Sequence, residues 1–346
     1  MVSLYDLSLA ELTDLCSSID ERPFRARQIY SWLYDKCAGD FSLMTDVPVK
    51  AREKLAAVSC LDDLSLEETL VSADGQTMKH MFGTKDKNYI ETVFMKYKDR
   101  NSICISSQAG CRMGCRFCDS GRDGLARDLS PSEMALQVIL SEREAGARTK
   151  NIVLMGVGEP LDNYANVKKF IENITDDHGR DLSRRAITLS TCGLVPGIER
   201  LAKELPQVNL AVSLHAPNDF LREQIMPVSR KYSVREVVAA ARGHYDATHR
   251  RATFEYVLIE GFNDGHEHAI ELAALLKGLN CLVNLIPLNR TGAEGRRGSG
   301  ADTAERFREE LGRRHVPATV RRSLGEDINA ACGQLRLRKS AGGFHG

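Results

Sequence analysis

The feature that most constrains this chain is a regular alternation of short, apolar, strand-like runs with helical segments from about residue 101 onward. Runs at 103–107, 151–155, 186–191, 208–213, 253–259, 282–286 and 318–321 read as strands, and helical segments separate most of them. The best-marked helix opens at Ser130-Pro131-Ser132-Glu133, with an N-cap serine, proline at the first helical position and glutamate at the third. Serial βα units require parallel strands. The chain therefore predicts an α/β fold, a (β/α) barrel that is closed or partly open. Reactive groups in such folds gather at the carboxyl ends of the strands.

Two different textures precede the barrel. Residues 1–60 read as a small helical unit, with a capping-box pattern at Ser8-Leu9-Ala10-Glu11, helically spaced Ile29, Trp32 and Leu33, and a third helix over 48–58. Residues 61–100 hold β-prone runs at 64–72, 77–82 and 89–97, broken by turn residues such as Asp74-Gly75, as in a short antiparallel linker sheet. The expected organisation is a helical accessory domain over 1–60, a β-rich linker over 61–100, the barrel over 101–335 and a flexible tail over 336–346. Arginines in the first unit suit a nucleic-acid contact, and a solvated face explains them equally well.

The 47 basic and 47 acidic residues of the 346-residue chain cancel, so bulk charge points to no partner. Ten cysteines, with neither a basic, apolar leader nor a long apolar span, predict a cytoplasmic protein with reduced thiols and no membrane segment.

The strand run at 103–107 leads into Cys111-Arg112-Met113-Gly114-Cys115-Arg116-Phe117-Cys118. Three thiols at C-x3-C-x2-C spacing are soft ligands suited to an iron–sulfur cluster, zinc or copper. Zinc usually takes four protein ligands, and none of the loop's other residues supplies the fourth. The spacing resembles the radical S-adenosylmethionine (SAM) signature, in which three cysteines hold a [4Fe-4S] cluster and the fourth iron binds SAM. A zinc site with a distant fourth ligand is the competing interpretation.

Each later strand ends in small or polar side chains. Gly156-Val157-Gly158-Glu159-Pro160 lets a ligand approach the backbone and offers a carboxylate to an ammonium group. Ser190-Thr191-Cys192-Gly193, Ser213-Leu214-His215 and Pro287-Leu288-Asn289 end three more strands. Turn capping accounts for any one of them. Together with an open metal site they point to cofactor binding. Near the carboxyl terminus Cys332 stands among small residues in Ala330-Ala331-Cys332-Gly333-Gln334-Leu335, an accessible setting for a thiol. Cys192 and Cys281 read as buried structural thiols.

The cysteine triplet, Gly158-Glu159-Pro160-Leu161, Ser213-Leu214-His215-Ala216, Ile286-Pro287-Leu288-Asn289 and the terminal Ala-Cys-Gly-Gln-Leu together resemble one family over nearly the whole chain. It is the RlmN/Cfr family of radical SAM adenine methyltransferases. Asp119-Ser120 departs from the family's more usual Ala-Thr after the third cysteine.

The resemblance implies a [4Fe-4S] cluster on Cys111, Cys115 and Cys118, and SAM contacts at Gly158, Glu159, Ser190, Ser213, Leu214, His215 and Asn289. It implies that Cys332 takes a methyl group from one SAM, and that a radical from a second SAM activates that methyl for addition to the adenine ring. Glu91 is then the proton acceptor, and Cys104 the thiol that releases the product through a transient disulfide with Cys332. The implied substrates are an adenine of 23S ribosomal RNA at the peptidyl transferase centre and an adenine in some transfer RNAs, methylated at carbon 2. The implied electron donor is of flavodoxin or ferredoxin type, and the protein a monomer. The carbon-8 enzyme of the same family and a zinc-stabilised, non-catalytic RNA-binding protein are the alternatives. Arg296-Arg297, Arg313-Arg314 and Arg321-Arg322, in the basic stretch 290–322, are candidate phosphate contacts.

Overall fold

The computed structural model describes residues 1–289, 296–321, 324–331, 333–335 and 338–339. The chain begins with β1 (Val2–Ser3), α1 (Leu9–Ser18), α2 (Phe24–Tyr34) and α3 (Val49–Val58), after which β2 (Ser59–Cys60) returns to pair in parallel with β1. The capping box at Ser8 is formed, with the serine accepting from Glu11 N–H and Glu11 accepting from Ser8 N–H. This unit sits against the barrel: Tyr30 Oη donates to Asn173 O at 3.1 Å, and Asp6 Oδ1 accepts from Ser132 N–H at 2.8 Å.

Three antiparallel strands follow, β3 (Leu64–Val71), β4 (Thr77–Thr84) and β5 (Asn88–Lys96). β6 (Asn101–Cys104) pairs antiparallel with β5 on one side. The chain then forms a hairpin, β7 (Gln108–Gly110) with β8 (Leu125–Asp128), whose connection is the cysteine loop. The regular units come next: α4 (Pro131–Ala145), β9 (Asn151–Leu154), α5 (Tyr164–Ile174), β10 (Ile187–Thr191), α6 (Val195–Glu204), β11 (Asn209–Ser213), α7 (Asp219–Ile225), α8 (Val234–Thr248), β12 (Ala252–Leu258), α9 (His266–Leu275), β13 (Cys281–Pro287), α10 (Ala301–Arg313) and β14 (Ala318–Val320). α4 has the expected start, Pro131 after a capping box between Ser130 and Glu133, and it ends on left-handed Gly146 (φ 61°). β15 (Arg338–Lys339) pairs antiparallel with β5. The remainder of the expected tail lies outside the described residues.

One sheet carries the fold, in the order β14-β13-β12-β11-β10-β9-β6-β5-β4-β3. In this sheet β6 and β9 through β14 run parallel, and the path ends at β14 and β3 without closing, which is a partly open barrel. The antiparallel strands anticipated as a linker are thus hydrogen-bonded into the barrel sheet itself. The run expected over 103–107 leaves the ladder earlier. Beyond Ile105, Ser106 Oγ turns to Glu91 O and Ser106 N–H to Gln137 Oε1, and Ser107 N–H is taken by Val157 O.

Strand side chains alternate between faces, and this positions the site. On β10, Ile187 and Leu189 are fully buried outside the barrel's interior while Ser190 faces its cavity. On β12, Phe254, Tyr256 and Leu258 are fully buried while Glu255 and Val257 face the cavity. Buried side chains such as Phe254 each contribute about 1.5–3 kcal/mol by leaving water. Among the described residues no helix is long and apolar enough to cross a membrane.

Candidate active site: a cysteine loop over the strand ends

The cysteine loop is set by its hairpin. Cys111 N–H donates to Gly124 O at 2.9 Å, and a Cβ on Gly110 (φ 83°) would fall 2.0 Å from that same oxygen, so only glycine fits there. Farther along, Arg116 N–H donates to Ile225 O at 2.9 Å, seating the loop on the end of α7. Cys111, Cys115 and Cys118 all line a cavity of about 950 Å³, open to solvent, over the strand ends. Burial pushes the Cys111 thiol up to about 12 and the Cys115 thiol well above its ordinary value, and the neighbouring cysteines add to both. Three inward thiols, two of which resist ionising alone, suit a donor set for a polycationic centre, which makes the thiolate the stable form.

Gly158, Glu159, Ser190, Ser213, His215 and Asn289 line the same cavity. Glu159 is buried, with Oε2 accepting from Cys192 N–H at 2.7 Å and Oε1 from Leu161 N–H at 3.1 Å. Burial raises its carboxyl pKa. Gly158 (φ 109°) packs so closely on Gln108 that a Cβ would come within 2.6 Å of the Gln108 Cβ. His215 adopts φ 59°, and its Nδ1 accepts from Val257 N–H at 2.9 Å. That bond leaves the ring proton on Nε2. Burial, helped by the Arg222 charge, lowers its pKa to about 3, so the ring is neutral. Phe117 stacks edge-on against it, centroids 4.7 Å apart. Leu214 behaves differently. Its side chain is fully buried away from the cavity, and its carbonyl accepts from Arg222 Nε at 2.9 Å.

A second cavity, about 790 Å³, adjoins the first and shares Cys118, Ser120, Met155, Gly156, Ile286, Asn289, Arg321 and Gly333 with it. Cys104 lines it, as do Ala330, Ala331, Gly333 and Leu335 of the terminal loop. Cys332 itself lies outside the described residues, as do Arg290 and Arg322. The flanks of Cys332 are firmly placed: Asp119 N–H donates to Gly333 O at 2.8 Å, and Ser120 Oγ to Leu335 O at 2.7 Å.

Glu91 lies on β5 and lines neither cavity. It is buried and ion-paired with Lys79, Nζ to Oε1 3.3 Å, and Lys79 also donates to Asn329 O at 3.2 Å in the terminal loop. Of the candidate phosphate contacts, Arg313 and Arg314 are engaged by Glu310 of their own helix at 3.3 and 2.8 Å. Arg321 turns inward to Glu255, 3.8 Å away.

Several residues in these surroundings went unnoticed in the sequence. Glu255 lines the cavity with one oxygen held by Asn284 at 2.8 Å. An acid on the inward face of an otherwise apolar strand, in Thr253-Phe254-Glu255-Tyr256-Val257, was the available signal. Arg222 and Lys79 carried none, because their burial depends on tertiary packing.

Residues 105–273 match the Radical SAM superfamily, and residues 2–61 match the ribosomal RNA large subunit methyltransferase N-terminal domain. A protein of Desulforamulus reducens named as a probable dual-specificity RNA methyltransferase RlmN is 45% identical over 337 residues, covering 97% of this chain and 96% of that one. A like-named protein of Clostridioides difficile is 48% identical over 330 residues, 95% of each. The chain belongs to the RlmN family. The RlmN-type architecture extends to a solved structure, a radical SAM methyltransferase from Sphaerobacter thermophilus, at a TM-score of 0.94 and 47% identity over 97% of this chain and 99% of that one. The three cysteines of this RlmN homologue suit the cluster of the superfamily in number, softness and inward placement.

Proposed function

We propose that this protein is a radical SAM RNA methyltransferase that methylates carbon 2 of an adenine in 23S ribosomal RNA and in some transfer RNAs. The observation that carries the reading is the junction of the two cavities. The three-cysteine loop lines one, Cys104 and both neighbours of Cys332 line the other, and Cys118, Ser120 and Gly333 belong to both. That arrangement suits a reaction with two thiol-dependent halves.

Carbon 2 of adenine lies between two ring nitrogens and is electron-poor, so polar attack on an electrophilic methyl is unfavourable. A [4Fe-4S] cluster on Cys111, Cys115 and Cys118, when bound, supplies the electron that cleaves SAM homolytically. Glu159, which lines the cavity, is the proposed acceptor for the SAM ammonium group, and the Nε2–H of His215, which lines it too, a proposed donor. Ser190, Ser213 and Asn289 add short polar contacts from three strand ends. Leu214 is the exception among the expected SAM contacts, since its side chain faces the core and its backbone N–H and carbonyl are engaged by Glu255 and Arg222. Cys332 carries the methyl group to the ring, and Cys104 then forms a disulfide with it to free the product. Glu91 is the proposed proton acceptor. Its buried bond to Lys79 and the Lys79 bond to Asn329 connect it to the terminal loop. A one-electron donor of flavodoxin or ferredoxin type is the partner this chemistry requires.

The test is mass spectrometry of nucleosides from ribosomal and transfer RNA after anaerobic reaction with reconstituted protein, SAM and a reductant. The expected product is 2-methyladenosine, lost in Cys332→Ala. An 8-methyladenosine product would move the protein to the carbon-8 branch. Bound zinc with no iron, and no methylated adenine, would leave an RNA-binding protein without catalysis.

A further inference from the structure

Arg222 on α7 heads the largest fully buried side chains among the described residues, at 0% exposure. All its partners are neutral. Nε donates to Leu214 O at 2.9 Å, Nη1 to Ser229 Oγ at 3.0 Å and to Tyr232 O at 3.5 Å, and Nη2 to Cys192 O at 2.6 Å and Ser213 O at 3.1 Å. No carboxylate among the described residues forms an ion pair with it. A guanidinium stripped of water without an anion is costly, and natural interiors normally pair such charges. The missing anion is therefore informative.

The surroundings identify it. Arg222 lines neither cavity, so it does not contact a ligand directly. Yet α7 ends at Ile225, whose carbonyl holds the cysteine loop through Arg116 N–H at 2.9 Å. Cys115 and Phe117 pack on the small apolar group of Cys192, Ile225, Met226, Val257 and Ile259 beside it. Arg222 Nη2 holds the carbonyl of Cys192, and Cys192 packs with Cys115 in that apolar group and lines the cavity with it. The carboxylates of this region, Asp219 on the same helix and Glu159 beside Cys192, form no ion pair with Arg222, and the cysteine loop is where further negative charge would gather.

We propose that Arg222 is the buried counter-charge of the iron–sulfur cluster, and that it raises the cluster's reduction potential. Three thiolates give a [4Fe-4S] cluster one net negative charge when oxidised and two when reduced. The second charge arrives with the electron from an external one-electron donor, and a fixed cation nearby favours that state. Net charge and burial are among the factors that set such potentials. The same guanidinium also gathers the carbonyls of Cys192, Ser213 and Leu214, so the group that tunes the cluster also braces two of the strand ends beneath it. Arg222 is thus a positioning residue rather than a catalytic one.

This inference rests on the cluster reading of the cysteine loop, and iron and sulfide analysis of the reconstituted protein tests that reading separately. The deciding measurement is a redox titration of the holoprotein without SAM, followed by electron paramagnetic resonance. Arg222→Gln keeps donors but removes the charge, and its midpoint is expected to fall by about 59 mV or more, a tenfold change in a one-electron equilibrium. Arg222→Lys keeps the charge and is expected near the wild-type midpoint. Ser229→Asp places a carboxylate against Nη1 with the arginine intact, and a fall in the same direction is expected. It decides the matter if Arg222→Gln fails to take up iron. An unchanged midpoint in iron-replete Ser229→Asp, or equal shifts in Arg222→Gln and Arg222→Lys, would overturn the proposal.

Discussion

Ser120 and Leu335 stand 215 positions apart in sequence and are joined by a buried hydrogen bond, Ser120 Oγ to Leu335 O at 2.7 Å. Ser120 lies two residues past Cys118, and Leu335 three past Cys332, so the bond ties the cysteine loop to the segment that bears the terminal thiol. Removing the hydroxyl leaves a buried carbonyl unpaired, at about 1–3 kcal/mol. Ser120→Ala is expected to lower RNA methylation roughly tenfold at unchanged iron content, with 1.4 kcal/mol corresponding to a factor of about ten. Ser120→Thr should restore the rate. Equal rates in all three proteins would rule out the tether.

Each of Cys111, Cys115 and Cys118 replaced by alanine should abolish the brown colour and the iron of the reconstituted protein. Cys192→Ala, which alters a buried wall rather than a ligand, should keep its iron. Iron retained by any of the first three would remove that residue from the ligand set.

Lys79 and Glu91 form an ion pair at 3.3 Å with both side chains almost inaccessible. Breaking such a pair from one side strands a charge and costs about 3–5 kcal/mol, whereas replacing both partners with apolar residues is often tolerated. Lys79→Met should therefore destabilise the protein more than Lys79→Met combined with Glu91→Leu, as read by urea denaturation. The opposite ranking would mean that the pair is not coupled.

His244 on α8 is buried, and burial lowers its pKa to about 4, against about 6.5 unfolded. Between these values the unfolded chain binds a proton that the folded protein refuses. Stability from this group is therefore constant above pH 6.5 and falls as pH drops towards 4, by up to about 1.4 kcal/mol per unit. His244→Leu cannot titrate, so the wild type should lose stability relative to it over that window. A pH-independent difference would contradict the buried neutral imidazole.

The alternation of apolar runs and helices made the parallel strands legible almost to the residue. β9 through β14 fall within one or two positions of the sequence-based boundaries, because their core-facing positions are apolar and turn residues bound them. The capping box at Ser130 was legible for a similar reason, since its chemistry is local. The β7–β8 hairpin was not, because strands of three and four residues carry too little periodicity. Within the site, residues at strand ends announced themselves by polarity. Glu255 did not, as its neighbours made it look like an ordinary strand position. Arg222 and Lys79 were illegible for a different reason. Nothing in a sequence distinguishes a solvated cation from one enclosed by a distant part of the chain.

The continuity of the sheet has a practical consequence for anyone trimming this protein. The terminal loop hangs from the meander at Ala73 N–H, which Asp327 accepts at 2.8 Å, and at Lys79, while Asp119 and Ser120 hold its other side. Both supports belong to elements joined through β5 and β6. Residues 61–100 are thus not a spacer that a minimised enzyme can shed, for deleting them would leave the terminal thiol suspended from one side only.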